Sequence, residues 1–161
     1  MSGIPAIVIT VSDSSFAGTR EDKSGPAVAA RLQQAGFVIA RSLVLPDERE
    51  EISWQLRGLA SDLGRGVIVT TGGTGITPRD ITPEATRDVI TKELPGFGEL
   101  MRAKGLASTR NAVLSRAVSG ILGGVLIVNL PGSTRGAVES LDAILDLVPH
   151  VLDLINGRTG H

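Results

Sequence analysis

The chain has 161 residues, of which 42% are apolar, so residues 1–161 are expected to form a single domain with a sizeable core. A net charge of −1 and an aromatic content of 2% argue against a general binder of nucleic acids or membrane surfaces. The absence of cysteine excludes disulfides, thiolate catalysis and thiolate metal sites.

The remaining composition narrows the class of protein further. The two histidines, His150 and His161, lie near no motif that would make a Ser-His-Asp triad or a zinc site. The start of the chain has no basic segment, and no apolar run reaches transmembrane length. We therefore expect a cytoplasmic protein.

The first predicted strand covers residues 6–11, which are almost continuously apolar, as in a parallel sheet with both faces covered. Residues 12–15 form a hydrophilic turn at the carboxyl end of this strand, and a polar loop follows. Ser24 is predicted to cap the next helix, which Gly36 ends.

The second strand is predicted over residues 37–45. Asp47 follows it, and Glu50 lies three residues further on, a spacing that favours a capping box at the start of a helix. Trp54 lies off the apolar stripe of this helix and is expected to face solvent or a partner subunit. The stripe itself consists of Ile52, Leu56, Leu59 and Leu63.

A third strand over residues 66–69 leads into a glycine-rich loop. The elements predicted after the loop are a helix from Pro83 to about Glu93, short helices over 97–104 and 109–114, a hairpin of strands 116–121 and 125–130, a helix after Thr134, and a last short helix ending at 156–157, with residues 158–161 frayed. Strands that alternate with helices in this way predict a three-layer α/β fold with a mainly parallel sheet.

The glycine-rich loop contains Thr70, Thr71, Gly72, Gly73, Thr74 and Gly75. Three glycines in four residues permit positive φ angles and leave no Cβ to block a ligand, so successive amides can point at one anion. The loop is not a Walker A motif, and Pro78 stands where a dinucleotide fingerprint has its last glycine. The loop either binds phosphate or is a tight strand-to-helix turn.

Polar residues also follow two other predicted strands. Ser12 and Asp13 end the first strand, and Gly132 and Ser133 end the second strand of the hairpin. Ligands of open α/β sheets gather at the carboxyl ends of the strands, so these residues and the glycine loop are expected to surround one nucleotide. For Ser12 and Ser133, ordinary capping of a turn or helix is the competing interpretation.

An ordered set of motifs along nearly the whole chain resembles the molybdopterin adenylyltransferases of the bacterial MogA type, which are related to the G domain of gephyrin. The motifs are Val-Ser-Asp 11–13, Asp-Lys-Ser-Gly-Pro 22–26, Pro-Asp-Glu 46–48, Thr-Gly-Gly-Thr-Gly 71–75, Pro-Arg-Asp 78–80, Thr-Pro-Glu-Ala-Thr 82–86, Pro-Gly-Phe-Gly-Glu 95–99, Leu-Ser-Arg 114–116 and Asn-Leu-Pro-Gly 129–132.

The resemblance implies a mixed, mostly parallel sheet flanked by helices, a fold of the MogA/MoaB type, assembled as a homotrimer. It also implies a reaction in which ATP and molybdopterin give adenylyl-molybdopterin and pyrophosphate, with magnesium required. This step prepares the pterin for molybdate insertion, so the downstream molybdate-insertion enzyme is an expected partner.

The resemblance assigns adenylyl transfer to two acids, Asp47 and Asp80. Each follows a predicted strand, and Mg²⁺ usually takes one or two carboxylates, with waters and phosphates as its other ligands. A cation between the two acids would relieve their repulsion and polarise the α-phosphate of ATP. The competing interpretations are a helix cap for Asp47 and a solvated loop acid for Asp80.

The molybdopterin side is assigned to Ser115 by the resemblance. Arg116 is added because its planar guanidinium matches a phosphate, with a surface charge as the alternative. Ser24 is a further candidate for pterin binding, although helix capping also explains it. Gly105 stands roughly where some relatives carry a serine, which leaves the pterin contacts of that segment open.

Two other functions remain open at this point. One is a non-catalytic pterin-binding or scaffold protein of the same fold, which would release no pyrophosphate. The other is hydrolysis of a nucleotide pyrophosphate, as in more distant relatives. The complete glycine loop together with both aspartates favours catalysis.

Overall fold

The computed structural model describes residues 3–158 and contains one six-stranded sheet flanked by helices on both faces. The strands are β1 (Pro5–Val11), β2 (Val38–Leu45), β3 (Arg65–Thr71), β4 (Lys92–Glu93), β5 (Ser119–Leu122) and β6 (Gly124–Leu130). The α-helices are α1 (Asp13–Phe16), α2 (Ser24–Gln34), α3 (Arg49–Leu63), α4 (Thr82–Arg87), α5 (Pro95–Gly105), α6 (Thr134–Ile144) and α7 (Val148–Ile155). Two 3-10 helices cover Arg110–Leu114 and Leu145–Leu147.

The strand order in the sheet is β2-β1-β3-β6-β5-β4. The strands β2, β1, β3 and β6 are parallel to one another, and β5 and β4 continue the sheet as antiparallel neighbours. The predicted mixed, mostly parallel sheet is therefore confirmed. Since the four parallel strands end at the same edge, the residues after β1, β2, β3 and β6 meet there.

The core has two apolar layers, one on each face of the sheet. Alternate strand residues such as Val8, Val69 and Val128 pack against α2, α5, α6 and α7. Their neighbours in the sequence, such as Ile9 and Ile68, pack against α3 and α4 on the opposite face. This explains why the parallel strands are apolar at successive positions.

Two predicted helix caps are wrong. α3 begins at Arg49 and Glu48 occupies its N-cap position without a side-chain hydrogen bond, so Asp47 does not cap it. Ser24 is the first residue of α2, and the Asp22 carboxylate accepts the hydrogen bond from the Gly25 amide, 3.0 Å away. Both errors have one cause, because a capping residue type was assigned without knowing where the backbone turns.

Two other boundaries differ from the prediction. The turn expected over residues 12–15 contains the short helix α1, and α4 ends at Arg87 rather than near Glu93. Lys92 and Glu93 instead pair with β5, because hydrogen bonding to the sheet edge outweighs helix propensity there. The hairpin of β5 and β6 is confirmed, with a shorter first strand.

At the carboxyl end of the chain, Arg158 is described and its amide donates a hydrogen bond to the carbonyl of Asp153, 2.7 Å away. The rest of the segment predicted to be frayed, residues 159–161, lies outside the described residues. Within residues 3–158, no helix combines the length and the apolar character that crossing a bilayer requires.

One buried polar side chain connects the sheet to its flanking elements. Asn129 of β6 is fully buried, and its amide nitrogen donates to the hydroxyls of Thr70 and Thr86, each 3.0 Å away. Its carbonyl oxygen accepts the Val118 amide at 3.1 Å, and the Thr86 hydroxyl donates onward to the carbonyl of Thr82. Asn129 therefore joins β3, α4 and the chain entering β5.

Replacing Asn129 with leucine is expected to lower the free energy of unfolding by about 2–4 kcal/mol, because it leaves the buried Val118 amide without an acceptor. Urea unfolding monitored by circular dichroism would measure the change. Asn111→Leu, at an exposed position, is the matched control and should change the value by less than about 0.5 kcal/mol. Equal stability of the two variants would contradict the proposed role of Asn129.

Candidate functional site

The residues that follow the parallel strands line a cavity of about 720 Å³ at the carboxyl edge of the sheet. Of the residues singled out from the sequence, this cavity is lined by Ser12, Ser24, Asp47, Gly72, Gly73, Asp80, Gly132 and Ser133. Arg20 and Lys23 also line this cavity, together with the acids Glu21 and Asp22, and neither basic residue was predicted as a site residue. This is the larger of two adjoining spaces.

A second cavity of about 480 Å³ lies on the other side of the glycine loop. Ser115 and the apolar side chains of Met101 and Leu114 line it, and Gly105 lies on its wall. The residues that line both cavities are Gly73, Asp80, Gly132 and Ser133. Two compartments therefore meet at the glycine loop and at one of the two predicted catalytic acids.

The glycine loop divides the two cavities. Gly72 and Gly73 have φ angles of 103° and 69°, and Gly72 packs so closely on the carbonyl of Val11 that a Cβ would collide with it. The amides of Gly73, Thr74 and Gly75 donate no hydrogen bond to any described residue. The loop therefore presents free amide donors beside both cavities, as an anion-binding loop does.

Asp47 is held by a reciprocal pair of hydrogen bonds between the ends of β1 and β2. Its Oδ2 accepts the Asp13 amide at 2.9 Å, and its own amide donates to Asp13 Oδ1 at 2.9 Å. Its Oδ1 accepts no hydrogen bond within residues 3–158. Burial raises the pKa of Asp47, and the negative charges of Asp13 and Asp80 raise it further, against the opposing effects of the Asp13 amide and Arg79.

Asp80 is held by its own turn. Its Oδ2 accepts the Thr77 amide at 2.9 Å and the Thr77 hydroxyl at 2.7 Å, while Oδ1 accepts no hydrogen bond from a described residue. Asp80 and Asp47 line the same cavity and repel one another electrostatically. The structure thus brings the two predicted catalytic acids together, each with one oxygen available.

Asp13 lines neither of the two cavities. Its carboxylate accepts the Asp47 amide and two hydrogen bonds from the Arg79 guanidinium, both 3.0 Å long. Arg79 also donates to Glu48 at 2.9 Å. In this arrangement Asp13 supports Asp47, and Arg79 connects the segment carrying Asp80 to the ends of β1 and β2. Arg79 lies in the Pro-Arg-Asp motif at residues 78–80, and its ion pairs with Asp13 and Glu48, which are distant in the sequence, could not be predicted from that motif.

The two serines with a competing capping interpretation do cap helices. Ser12 Oγ accepts the Ser15 amide at 3.2 Å, and Ser133 Oγ accepts the Gly136 amide at 3.1 Å. Both also line the larger cavity, so capping and ligand binding are compatible at these positions. Ser24 lines the larger cavity as well, and not the one that holds Ser115.

Arg116 lines neither of the two main cavities. Its guanidinium donates to the carbonyls of Gly75 and Asp80, both at 2.7 Å, and to the carboxylate of Glu84 at 2.6 Å. Glu84 holds the pKa of Arg116 above its ordinary value, and Arg116 lowers the pKa of Glu84. The guanidinium is therefore engaged inside the protein, and the pterin contact predicted for Arg116 finds no support in this geometry.

The donor set of the larger cavity fits a magnesium ion. Within residues 3–158, no cluster of three or more His, Cys, Asp or Glu side chains is arranged to hold a metal. Asp47 and Asp80 each keep one carboxylate oxygen without a hydrogen bond, and Mg²⁺ commonly takes one or two carboxylates, with waters and substrate phosphates as the remaining ligands. A cation here would also offset the repulsion between the two acids.

Comparison with known proteins gives a consistent result. A family model described as "Probable molybdopterin binding domain" matches residues 7–150. A molybdopterin adenylyltransferase of Helicobacter pylori strain J99 is 41% identical over 153 residues, which cover 94% of this chain and 87% of that protein. A gephyrin of Dictyostelium discoideum is 38% identical over 94% of this chain, which spans only 22% of that longer protein.

A solved structure supports the same relationship. The molybdopterin biosynthesis enzyme MoaB of Thermus thermophilus superposes with a TM-score of 0.89 and is 46% identical, covering 96% of this chain and 97% of that one. The mixed, mostly parallel sheet predicted from the motifs is thus also the fold of a protein of the MoaB type.

The raised pKa of Asp47 leads to a prediction about stability and pH. The folded protein binds the proton of Asp47 more tightly than the unfolded chain does, so this stabilisation is present below the ordinary value of 3.8 and is lost as pH rises through the folded pKa. Asp47→Asn removes the charged form. Its free energy of unfolding, minus that of the wild type, should therefore increase as pH rises from below 3.8 towards neutrality.

Urea unfolding at a series of pH values would measure this difference. Asp62→Asn, which removes one carboxylate at an exposed position of α3, is the matched control, and the increase for Asp47→Asn should be the larger of the two. An increase for Asp47→Asn no larger than that of the control would show that the folded protein does not disfavour the charged form of this acid.

Proposed function

The chain belongs to the family of probable molybdopterin binding domains, and on that premise we propose that it is a molybdopterin adenylyltransferase of molybdenum cofactor biosynthesis. The observation that carries this proposal is the meeting of two cavities at Gly73 and Asp80. A reaction that joins two bound molecules needs two adjoining compartments, with the reacting groups at their border.

The reaction is an attack on phosphorus. An oxygen of the terminal phosphate of molybdopterin forms a bond to the α-phosphorus of ATP, and the bond from that phosphorus to the oxygen bridging to the β-phosphate breaks. Pyrophosphate leaves with the electron pair of the broken bond. Both reactants are anions, so positioning and charge stabilisation carry most of the catalysis.

The larger cavity is the proposed site for ATP. The free amide of Gly73 and the positive charges of Arg20 and Lys23 suit the phosphates, and Ser12 and Ser133 add hydroxyls to the wall. Thr74 and Gly75, which were predicted to bind the nucleotide, line the smaller cavity instead. Asp13 supports this site through Asp47 rather than by contact with the nucleotide. Ser24 lines this cavity and not the smaller one, so it is assigned to the ATP site.

The smaller cavity is the proposed site for molybdopterin. Ser115 offers a hydroxyl on its wall, and Met101 and Leu114 offer apolar surface for a ring system. The terminal phosphate of the pterin would then lie near the shared residues Gly73 and Asp80, where the α-phosphate of ATP is expected from the other side.

Asp47 and Asp80 are the residues that would hold a magnesium ion. Such an ion supplies Lewis-acid polarisation of a phosphoryl oxygen and screens the charges of both substrates. The protein's own contribution is to aim the two acids at one space: Asp13 fixes Asp47, and Thr77 fixes Asp80.

Asp80→Asn provides the central test. The variant should lower the rate of adenylyl-molybdopterin formation by about 100-fold or more, because a neutral amide would hold a cation at the border of the two cavities less well than a carboxylate, while molybdopterin binding stays close to that of the wild type. Chromatography of the adenylylated product and of pyrophosphate would measure the rate. Product at the wild-type level from Asp80→Asn would remove this acid from the mechanism.

Reactions of the wild type distinguish the other functions considered above. A protein that binds molybdopterin but releases no pyrophosphate from ATP and magnesium is a scaffold. Steady release of AMP without molybdopterin identifies a nucleotide pyrophosphate hydrolase. Adenylylated pterin, formed together with one pyrophosphate per turnover, supports the proposed transfer.

We also propose that residues 1–161 act as one domain in a cytoplasmic homotrimer that passes its product to a molybdate-insertion enzyme. The large apolar side chains of Trp54, Leu106 and Val113 are at least half exposed in the single chain, which suits a protein that associates with copies of itself or with a partner.

Sedimentation velocity at micromolar concentration tests the assembly. The expected species has three times the mass of the chain, because burying apolar side chains such as Trp54 favours association. A sample that contains only monomer over this concentration range would contradict the trimer and would leave the site chemistry unaffected.

A further inference from the structure

The Arg116 guanidinium makes four hydrogen bonds, more than any other cationic side chain in the described part of the chain. Nε donates to the carbonyl of Gly75 and Nη2 to the carbonyl of Asp80, both at 2.7 Å. Nη1 donates to Glu84 Oε2 at 2.6 Å, and Nη2 also approaches Glu84 Oε1 at 3.3 Å. The Arg116 amide donates to the carbonyl of Thr74 at 2.9 Å.

The carbonyls that accept from the guanidinium lie at the two ends of one segment. Residues 75–80 connect the glycine loop to the proposed catalytic acid, and the Arg116 guanidinium donates hydrogen bonds to the first and the last residue of this segment. Within the segment the Asp80 carboxylate accepts hydrogen bonds from the amide and hydroxyl of Thr77, which tie the carboxylate to the backbone of the same segment. Fixing the two ends therefore fixes where the Asp80 carboxylate points.

Glu84 keeps the guanidinium in this orientation. It lies on α4, and the side chains of Arg116 and Glu84 are 36% and 31% exposed, so the pair is partly shielded from water. A planar fork with several donors can reach two carbonyls and a carboxylate together, whereas a lysine ammonium is a single point of charge. The geometry thus depends on arginine and not only on a positive charge.

Arg116 is also connected to the smaller cavity, the proposed molybdopterin site, because it directly follows Ser115 in the chain. Ser115 lines the smaller cavity, and the two residues share one stretch of backbone between the 3-10 helix at Arg110–Leu114 and β5. We infer that Arg116 is a positioning residue that holds Asp80 at the border of the two cavities and links its placement to the backbone beside the pterin. This inference rests on the proposed function for its catalytic consequence only.

Arg116→Lys tests the inference, with Arg87→Lys as the matched control. Arg87 lies on α4 and pairs with Glu93 on the surface, away from both main cavities. For Arg116→Lys, kcat at saturating molybdopterin should fall by about tenfold or more, because a displaced acid loses its alignment. The dissociation constant for molybdopterin should stay unchanged, and Arg87→Lys should match the wild type in both values.

A second readout needs no catalysis. Hydrogen exchange of the Thr77 amide, followed by NMR, reports the hydrogen bond from that amide to Asp80. Exchange should become several-fold faster in Arg116→Lys and stay unchanged in Arg87→Lys, because only the first change releases the ends of the segment. Glu84→Gln, which keeps the shape of its partner and removes the charge, should give intermediate values and provides the test if Arg116→Lys fails to fold.

The possible outcomes are distinct. Unchanged kcat and unchanged Thr77 exchange would overturn the inference. Weaker molybdopterin binding with wild-type kcat at saturation would also overturn it, in favour of direct contact between Arg116 and the pterin. Faster Thr77 exchange in a protein whose wild type forms no adenylyl-molybdopterin would uphold the positioning role and reject the proposed function.

Discussion

The site depends on two carboxylates of like charge that the fold holds on one side of a single cavity. Neither acid relies on the other for its place. Asp47 is fixed by the backbone at the end of β1, and Asp80 is fixed by a turn anchored to two arginines, Arg79 and Arg116. Burial is the largest cause of the raised pKa of Asp47, and the negative charges of Asp13 and Asp80 raise it further. The fold therefore holds Asp47 where its charged form is disfavoured, and a cation bound beside it would offset that cost.

The topology of the sheet explains how a few residues can form this site. Four parallel strands end at one edge, so short segments that are far apart in the sequence deliver their polar groups to one place without long loops. Near this edge, the buried side chain of Asn129 joins β6 to β3 and to α4 by hydrogen bonds. Packing and chemistry are thus connected through α4, whose Glu84 orients Arg116 and whose Thr86 contacts Asn129.

Much of this could be predicted from the sequence. Apolar runs and glycine punctuation predicted β1, β2, β3, β5 and β6 and a mainly parallel sheet, and the ordered motifs predicted the family, whereas the short strand β4 was missed. Errors arose where one residue type suits two roles. Aspartate is common both at the end of a strand and at a helix N-cap, and only the path of the backbone shows that Asp47 does not cap α3. Arg116 was assigned to a phosphate because its chemistry suits one. That its guanidinium faces Gly75, Asp80 and Glu84 depends on tertiary contacts 32 to 41 residues away, which no local pattern encodes.

The partition at Gly73 has a consequence for the order of events. Gly73 has no side chain, and it lies between two spaces that share four lining residues and otherwise have different walls. Neither space is built from the occupant of the other, so under the proposed function either substrate would be able to dock first, and random order of addition is the expected kinetic scheme.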